Sequence, residues 1–394
     1  MGLLVVGASV AGVRTVQALR ARGYRDAVTI IGEECQLPYD KPPLSKEMLD
    51  TRAGAAPVRL LTQEEIDALE VDLRTGVRAV GLDVQRKVVV TDDGSEIGYD
   101  NVVIATGVSA RTLPGAESLD NVYTLRTADD AAALRRELIR GRRGVIIGAG
   151  FIGAEVASAA RAHGVEVTLV ETQQAPHAQQ LGVDVGQALG RLHALHGSGL
   201  RTGVRFDGFV GAERVTAVRL SDGTQLPADF VVVGIGARPA TDWLARSGLP
   251  LADGISCDES LGVLGFPGVY AVGDVARWQH PFYGEPLRVE HWTNANDHAA
   301  VVAAALLGEP LPRATLPYVW SDQYGRRIQI IGRPALGTAI IRGGVETDDL
   351  VAVYADENGV LVGALVVDNP RLLMKFRRAI ARGQLAAESV GAPS

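Results

Sequence analysis

The chain has 394 residues, 47% apolar and 22% charged, which is enough for two or three buried cores and too much for one ordinary domain. Its net charge of -7 argues against general nucleic-acid affinity, which needs a basic stripe along one face. The best apolar runs, such as 230–235, are strand-sized, whereas a membrane helix takes roughly 18 or more uninterrupted apolar residues.

The first element is a strand, Leu3-Leu4-Val5-Val6, followed by the turn Gly7-Ala8-Ser9-Val10-Ala11-Gly12. A strand at the very start leaves no room for a charged leader and an apolar signal core, so the expected location is cytoplasmic. A helix runs to Arg22, a second strand spans 27–31, and Glu33 follows 21 positions after Gly12. About 140 residues on, the design recurs as the strand Gly144-Val145-Ile146-Ile147, the turn Gly148-Ala149-Gly150-Phe151-Ile152-Gly153, a helix to His163 and a strand over 165–170. Glu171 then lies 18 positions after Gly153.

Strand, glycine turn, helix, strand and acid in that order form a dinucleotide cradle. Glycine permits the tight turn, a small residue lets a pyrophosphate approach the backbone, the helix N-terminus stabilises the anion, and the acid accepts from ribose hydroxyls. A lone glycine motif is weak, but the whole unit found twice is strong. Ser9 takes the place of the second glycine in the first copy and still leaves room for backbone approach. Glu171 would repel a 2′-phosphate, and the residues after it, Thr172-Gln173-Gln174-Ala175, bring no cation, so NADH is favoured over NADPH.

Two further strands, Asn101-Val102-Val103-Ile104-Ala105-Thr106-Gly107 and Val231-Val232-Val233-Gly234-Ile235-Gly236-Ala237, end in small-residue turns that read as chain crossings over a nucleotide. The stretch Val269-Tyr270-Ala271-Val272-Gly273-Asp274 predicts a strand with a helix to follow, placing Asp274 where a helix start meets a ligand hydroxyl. Near the C-terminus, 350–355, the turn Asp356-Glu357-Asn358-Gly359 and 360–367 predict a hairpin. Asp368-Asn369-Pro370 then opens a helix bearing Arg371, Lys375, Arg377, Arg378 and Arg382.

Cys35 and Cys257 are the only cysteines. A local redox dithiol and a zinc or cluster site built on paired cysteines are thereby excluded. Each reads as a small buried residue.

The stretches Leu37-Pro38-Tyr39-Asp40-Lys41-Pro42-Pro43-Leu44-Ser45-Lys46, Ala271-Val272-Gly273-Asp274-Val275-Ala276, Glu290-His291-Trp292-Thr293-Asn294-Ala295 and Trp320-Ser321-Asp322-Gln323-Tyr324 resemble those of the FAD-containing, NADH-dependent ferredoxin reductases that serve oxygenases. Rubredoxin reductases and apoptosis-inducing factor are relatives of that family. The resemblance covers essentially the whole chain.

It implies an α/β fold with two Rossmann-like dinucleotide-binding domains, glutathione-reductase-like, plus a C-terminal α+β domain with an antiparallel sheet. The expected boundaries are 1–110 and 240–315 for a discontinuous FAD domain, 111–239 for an NAD domain and 316–394 for the C-terminal domain. FAD would be held by Gly7, Ser9, Ala11, Gly12, Glu33, Lys41, Lys46, Ala79, Thr106, Gly107, Arg111, Asp274, His291, Trp292 and Trp320. The family usually has Arg where Lys41 stands, so a point-charge contact replaces a bidentate one. NADH would be held by Gly148, Gly150, Phe151, Ile152, Gly153, Glu155, Glu171 and Gly236.

Lys46 and Glu155 would form an ion pair, with the ammonium stabilising negative charge on the reduced ring, and Trp320 would stand beside the isoalloxazine. Lys46, Glu155 and Trp320 are thus the residues expected in the catalytic role, and no metal site is expected. The implied reaction is hydride transfer from NADH to FAD, then single-electron transfer to an acidic [2Fe-2S] ferredoxin that feeds a cytochrome P450 or a Rieske oxygenase. Arg326, Arg327 and the basic C-terminal helix would steer that partner. A rubredoxin reductase and a redox-signalling flavoprotein like apoptosis-inducing factor are the alternatives. A single-cysteine oxidase is discounted, because Ser45 and Lys46 stand where its thiol would be. Monomer and dimer both stay open.

Overall fold

The computed structural model describes residues 2–50, 56–347 and 349–387; residues 388–394, which close the expected C-terminal domain, lie outside the described residues. The chain forms two compact units, one of Met1–Lys41, Pro57–Ser109 and Arg238–Pro317, the other of Pro42–Ala56, Ala110–Ala237 and Tyr318–Ser394.

The first unit is built on a parallel sheet in the order Val269–Ala271, Asn101–Ile104, Leu3–Val6, Val28–Gly32, Val71–Thr75. Leu3–Val6 is central and buried at every position, which is why it reads as an unbroken apolar run instead of an alternating one. The helices Val10–Ala21 and Trp292–Leu307 pack closely on each other. Two smaller sheets complete the unit: Ala79–Asp83 with Val88–Thr91 and Glu96–Gly98, and Leu251–Ala252 with Gly254–Cys257, Ala276–His280 and Glu285–Leu287.

The second unit repeats the parallel design in the order Gly199–Thr202, Glu166–Glu171, Arg143–Ile147, Phe230–Val233, Val122–Tyr123. Its antiparallel sheet runs Tyr318–Gln323, Arg326–Gly332, Leu361–Val367, Val351–Ala355, Thr338–Arg342. The expected hairpin is its Val351–Ala355 and Leu361–Val367 pair. Helix Pro370–Ala381 begins at Asn369, whose side chain accepts from Leu372 N–H, and buries Leu373, Phe376, Ala379 and Ile380. One apolar cluster explains why this sheet groups with the second parallel sheet: Val185, Leu189 and Leu192 of helix Val183–Leu195 share a core with Ile328, Leu350 and Leu365.

Two expectations need correction. No helix follows Asp274: a single 3-10 turn, Gly273–Val275, leads into strand Ala276–His280. Alternate residues of that strand are buried, the period-2 pattern of a half-covered sheet, and it outweighs the helix-start look of Gly-Asp. Cys35 is exposed, and only Cys257 is buried. Burial drives the Cys257 thiol up to about 12, so it is inert at neutral pH.

Candidate functional site

In the first unit the turn after Leu3–Val6 is closed by contacts that only glycine allows. Gly7 has φ +121°, and a Cβ there would lie 2.3 Å from Ala105 O. A Cβ on Gly12 would lie 2.1 Å from Gly7 O. The helix start itself is open: Ser9 makes no side-chain capping bond and no acid stands in the first turn, so its N–H groups are available to an anion. Gly273, at φ +72°, packs directly on this start, since a Cβ there would meet Ala11 Cβ at 2.9 Å. Asp274 is therefore beside the first cradle.

Thr106 Oγ1 donates to Ala240 O over 2.9 Å, and Ala240 N–H donates to Gly107 O over 3.0 Å. Glu33 is exposed at the end of strand Val28–Gly32. Ala79 lies just past Val77, whose N–H donates to Gly32 O. Lys41 is held locally, with Nζ 2.7 Å from Glu34 Oε1 and 2.9 Å from Tyr39 OH; Tyr39 OH also donates to Glu34. Trp292 Nε1–H donates to Asp40 Oδ1 over 2.6 Å. His291 precedes helix Trp292–Leu307 without capping it. Its buried Nδ1 has no hydrogen-bond partner among the described residues, and desolvation pulls its pKa down to about 4.

The second unit carries the second cradle. Gly148 has φ +100°, a Cβ there would lie 2.2 Å from Gly234 O, and one on Gly153 would lie 2.1 Å from Gly148 O. Gly150 faces open space, and helix Phe151–Ala162 has neither a capping side chain nor an acid in its first turn. Glu171 Oε2 accepts from Ala149 N–H over 3.0 Å and Oε1 from Gln173 N–H over 2.9 Å, fixing the carboxylate at the rim of the turn. Phe151 lies 4.2 Å from the His177 ring, centroid to centroid; Ile152 is exposed. Gly236 has φ +90° and open space around it.

The expected ion pair is present in this unit: Lys46 Nζ lies 2.7 Å from Glu155 Oε2. Glu155, 3% exposed, receives more than that one donor. Ser45 Oγ–H also reaches Oε2, while Oε1 accepts from Ser321 Oγ over 2.7 Å and from Asp322 N–H over 3.2 Å. Four donors thus converge on its two oxygens and fix the carboxylate in place. Trp320 is adjacent on the same strand and stacks on Tyr318 at 6.0 Å between centroids. Arg111 donates from N–H to Gly236 O and from Nε to Ala237 O. Lys46, Arg111 and Trp320, expected against FAD, all belong to the second compact unit.

Ser321, Glu34, Asp40 and His298 were not singled out from the sequence, and Ser45 was noted only as standing where an oxidase's thiol would be; Ser45 and Ser321 adjoin Lys46 and Trp320, the one signal that would have pointed to them as donors to Glu155.

Both turns fit a dinucleotide. Each is a glycine cradle that a Cβ would fill, opening onto a helix start without its own cap or acid. Among the described residues no group of three or more His, Cys, Asp and Glu side chains could hold a metal ion, and no helix is long and apolar enough to cross a membrane.

Two Rossmann-type cradles in one chain, with the antiparallel C-terminal sheet, define a two-dinucleotide flavoprotein oxidoreductase of glutathione-reductase-like α/β fold. The chain belongs to the pyridine nucleotide-disulphide oxidoreductase family, which matches residues 1–299, and residues 318–392 match the reductase C-terminal family. It is 36% identical over 377 residues to the ferredoxin–NAD(+) reductase component of the p-cumate 2,3-dioxygenase system of Pseudomonas putida, covering 95% of this chain and 92% of that protein. Among solved structures it superposes on Fdr9 with TM-score 0.90 at 40% identity, covering 99% of this chain and 97% of that one. The covalent putidaredoxin reductase–putidaredoxin complex gives TM-score 0.93 at 32% identity, covering 97% of this chain and 93% of that one. Unlike the disulphide-using members for which the family is named, this chain has no neighbouring pair of cysteines.

Proposed function

We propose that this chain is the NADH-dependent ferredoxin reductase of an oxygenase system, passing electrons through FAD to an acidic [2Fe-2S] ferredoxin. The observation that carries the reading is the pair of complete cradles in a chain with no dithiol to take the electrons onward. When bound, FAD supplies two-electron acceptance from NADH and one-electron release.

The chain's own residues do the rest. The turn from Gly7 to Gly12 and the Val10–Ala21 helix start bind the FAD pyrophosphate, and Glu33 and Asp274 take its hydroxyls. Gly148 to Gly153 and Glu171 bind NADH and disfavour a 2′-phosphate. Glu155 pins the Lys46 ammonium, which balances negative charge, and Trp320 marks the exit side.

Helix Pro370–Ala381 supports the partner assignment. Arg371, Lys375, Arg377, Arg378 and Arg382 are exposed, and none has an ion-pair partner among the described residues. Arg326 and Arg327, by contrast, are engaged by Asp368 and Asp322, so most of the steering falls to the helix.

The test is steady-state reduction of a [2Fe-2S] ferredoxin by NADH at rising salt. The expected result is turnover with an apparent KM for ferredoxin that rises with ionic strength. Turnover with small artificial acceptors but none with any ferredoxin would contradict the partner, and a flat salt profile would remove the steering helix from it.

A further inference from the structure

Helix Trp292–Leu307 buries His298 completely, within a stripe that otherwise holds Ala295, Ala299, Val301 and Val302. A buried imidazole is costly unless its nitrogens are paired. Nδ1 is paired, accepting from Gly273 N–H over 3.1 Å. Nε2 has no hydrogen-bond partner among the described residues, and the ring stands edge-on to Trp278 at 4.7 Å between centroids. Burial pulls the imidazole's pKa down to about 3, so the ring is neutral at working pH, with Nδ1 free to accept and the proton on Nε2.

The group that Nδ1 holds is the left-handed residue whose backbone presses against Ala11 of the first cradle. On the other side of that residue's neighbour, Arg288 Nη1 lies 3.3 Å from Asp274 O. The peptide before Gly273 and the peptide after Asp274 are therefore both gripped by side chains, one on each side of the Gly273–Asp274 pair. A half-satisfied histidine is a poor way to fill a helix core, whereas an acceptor placed where no backbone carbonyl reaches Gly273 N–H is what this one supplies.

We propose that His298 is a positioning residue for FAD: through its bond to Gly273 it fixes the Gly273–Asp274 turn against the start of the Val10–Ala21 helix. The proposal rests on the reading of the first cradle as the FAD site.

The test measures FAD binding to flavin-free protein by quenching of flavin fluorescence, in wild type, His298→Leu, His298→Asn, Asp274→Ala and the double variant His298→Leu/Asp274→Ala. Leu fills the space without an acceptor, and Asn restores an acceptor at the same distance along the side chain as Nδ1. Expected are roughly tenfold weaker binding for His298→Leu, recovery to within about threefold for His298→Asn, and a double variant no weaker than Asp274→Ala alone. Wild-type affinity in His298→Leu overturns the proposal. So does a His298→Leu loss of equal factor with and without Asp274, which marks general loosening. If His298→Leu fails to fold, His298→Asn decides: a loss as large as that of Asp274→Ala overturns the proposal. A wild-type protein that binds no FAD would sink the cofactor reading itself, a distinct outcome.

Discussion

Replacing Lys46 with Met removes one of four donors to a carboxylate that is 3% exposed. Leaving a buried charge without its counter-ion typically costs 3–5 kcal/mol. Ser45, Ser321 and Asp322 N–H remain on Glu155, and the Lys46 side chain is itself 16% exposed, so the lower end applies, about 3 kcal/mol. For domains of this size that corresponds to a fall in Tm of roughly 6–12 °C. Lys46→Met/Glu155→Leu should recover part of it, because two apolar groups replace the pair without an orphaned charge. Stopped-flow reduction by NADH should slow in Lys46→Met by roughly ten- to a hundredfold, the effect of withdrawing one stabilising charge of about 1.4 to 3 kcal/mol from the reduced ring. A Lys46→Met protein that melts like wild type would refute the structural argument. An unchanged reductive rate would refute the catalytic role, whatever the melting temperature.

The glycine turns allow the two cofactors to be separated. Gly12→Ala and Gly153→Ala each put a Cβ 2.1 Å from a backbone oxygen, yet the first should yield protein without flavin, and the second yellow protein that dithionite reduces and NADH does not; the reverse pattern would exchange the cradle assignments. Glu171→Ala removes the acceptor fixed by Ala149 and Gln173. It should raise the KM for NADH roughly tenfold, with kcat little changed and the preference over NADPH narrowed; an unaltered KM would count against a ribose contact. His177, His193 and His291 are held at about 4 and His298 at about 3 by burial. The unfolded chain therefore takes up protons first, at about 6.5. Stability from these groups is fully present above that value and lost as pH falls towards 4, by up to about 1.4 kcal/mol per pH unit for each histidine. Thermal melts should be level from pH 7 upward and drop below about 6.5, and equal melts at pH 7.5 and pH 5 would contradict this.

The parallel sheets were legible because buried strands such as Leu3–Val6 and Phe230–Val233 are continuous apolar runs, and the cradles because Gly7, Gly12, Gly148 and Gly153 stand where a Cβ has no room. The acids Glu33 and Glu171 followed from spacing alone. Partners far apart in sequence were not legible: nothing local marks Ser45 and Ser321 as donors to Glu155, 110 and 166 residues away. The Lys46–Glu155 pair itself came from family likeness, not from pattern. The likeness implies a point-charge contact between Lys41 and FAD, but no local pattern marks Glu34 as the partner that also holds its ammonium. His298 reads as an ordinary core residue, because its function is a single bond to a backbone N–H across the unit. The strand after Asp274 was mistaken for a helix because glycine and aspartate open both kinds of element, and only the alternating burial of Ala276–His280 distinguishes them.

The central claim is two dinucleotide sites acting in series with no thiol between them and the acceptor. Anaerobic titration of the purified, FAD-loaded protein with NADH, followed by visible absorbance, tests it most directly. The expected result is full bleaching of the flavin at about one NADH per flavin, unaffected by prior alkylation of the cysteines. A flavin that NADH leaves oxidised, or bleaching that alkylation abolishes, would contradict it.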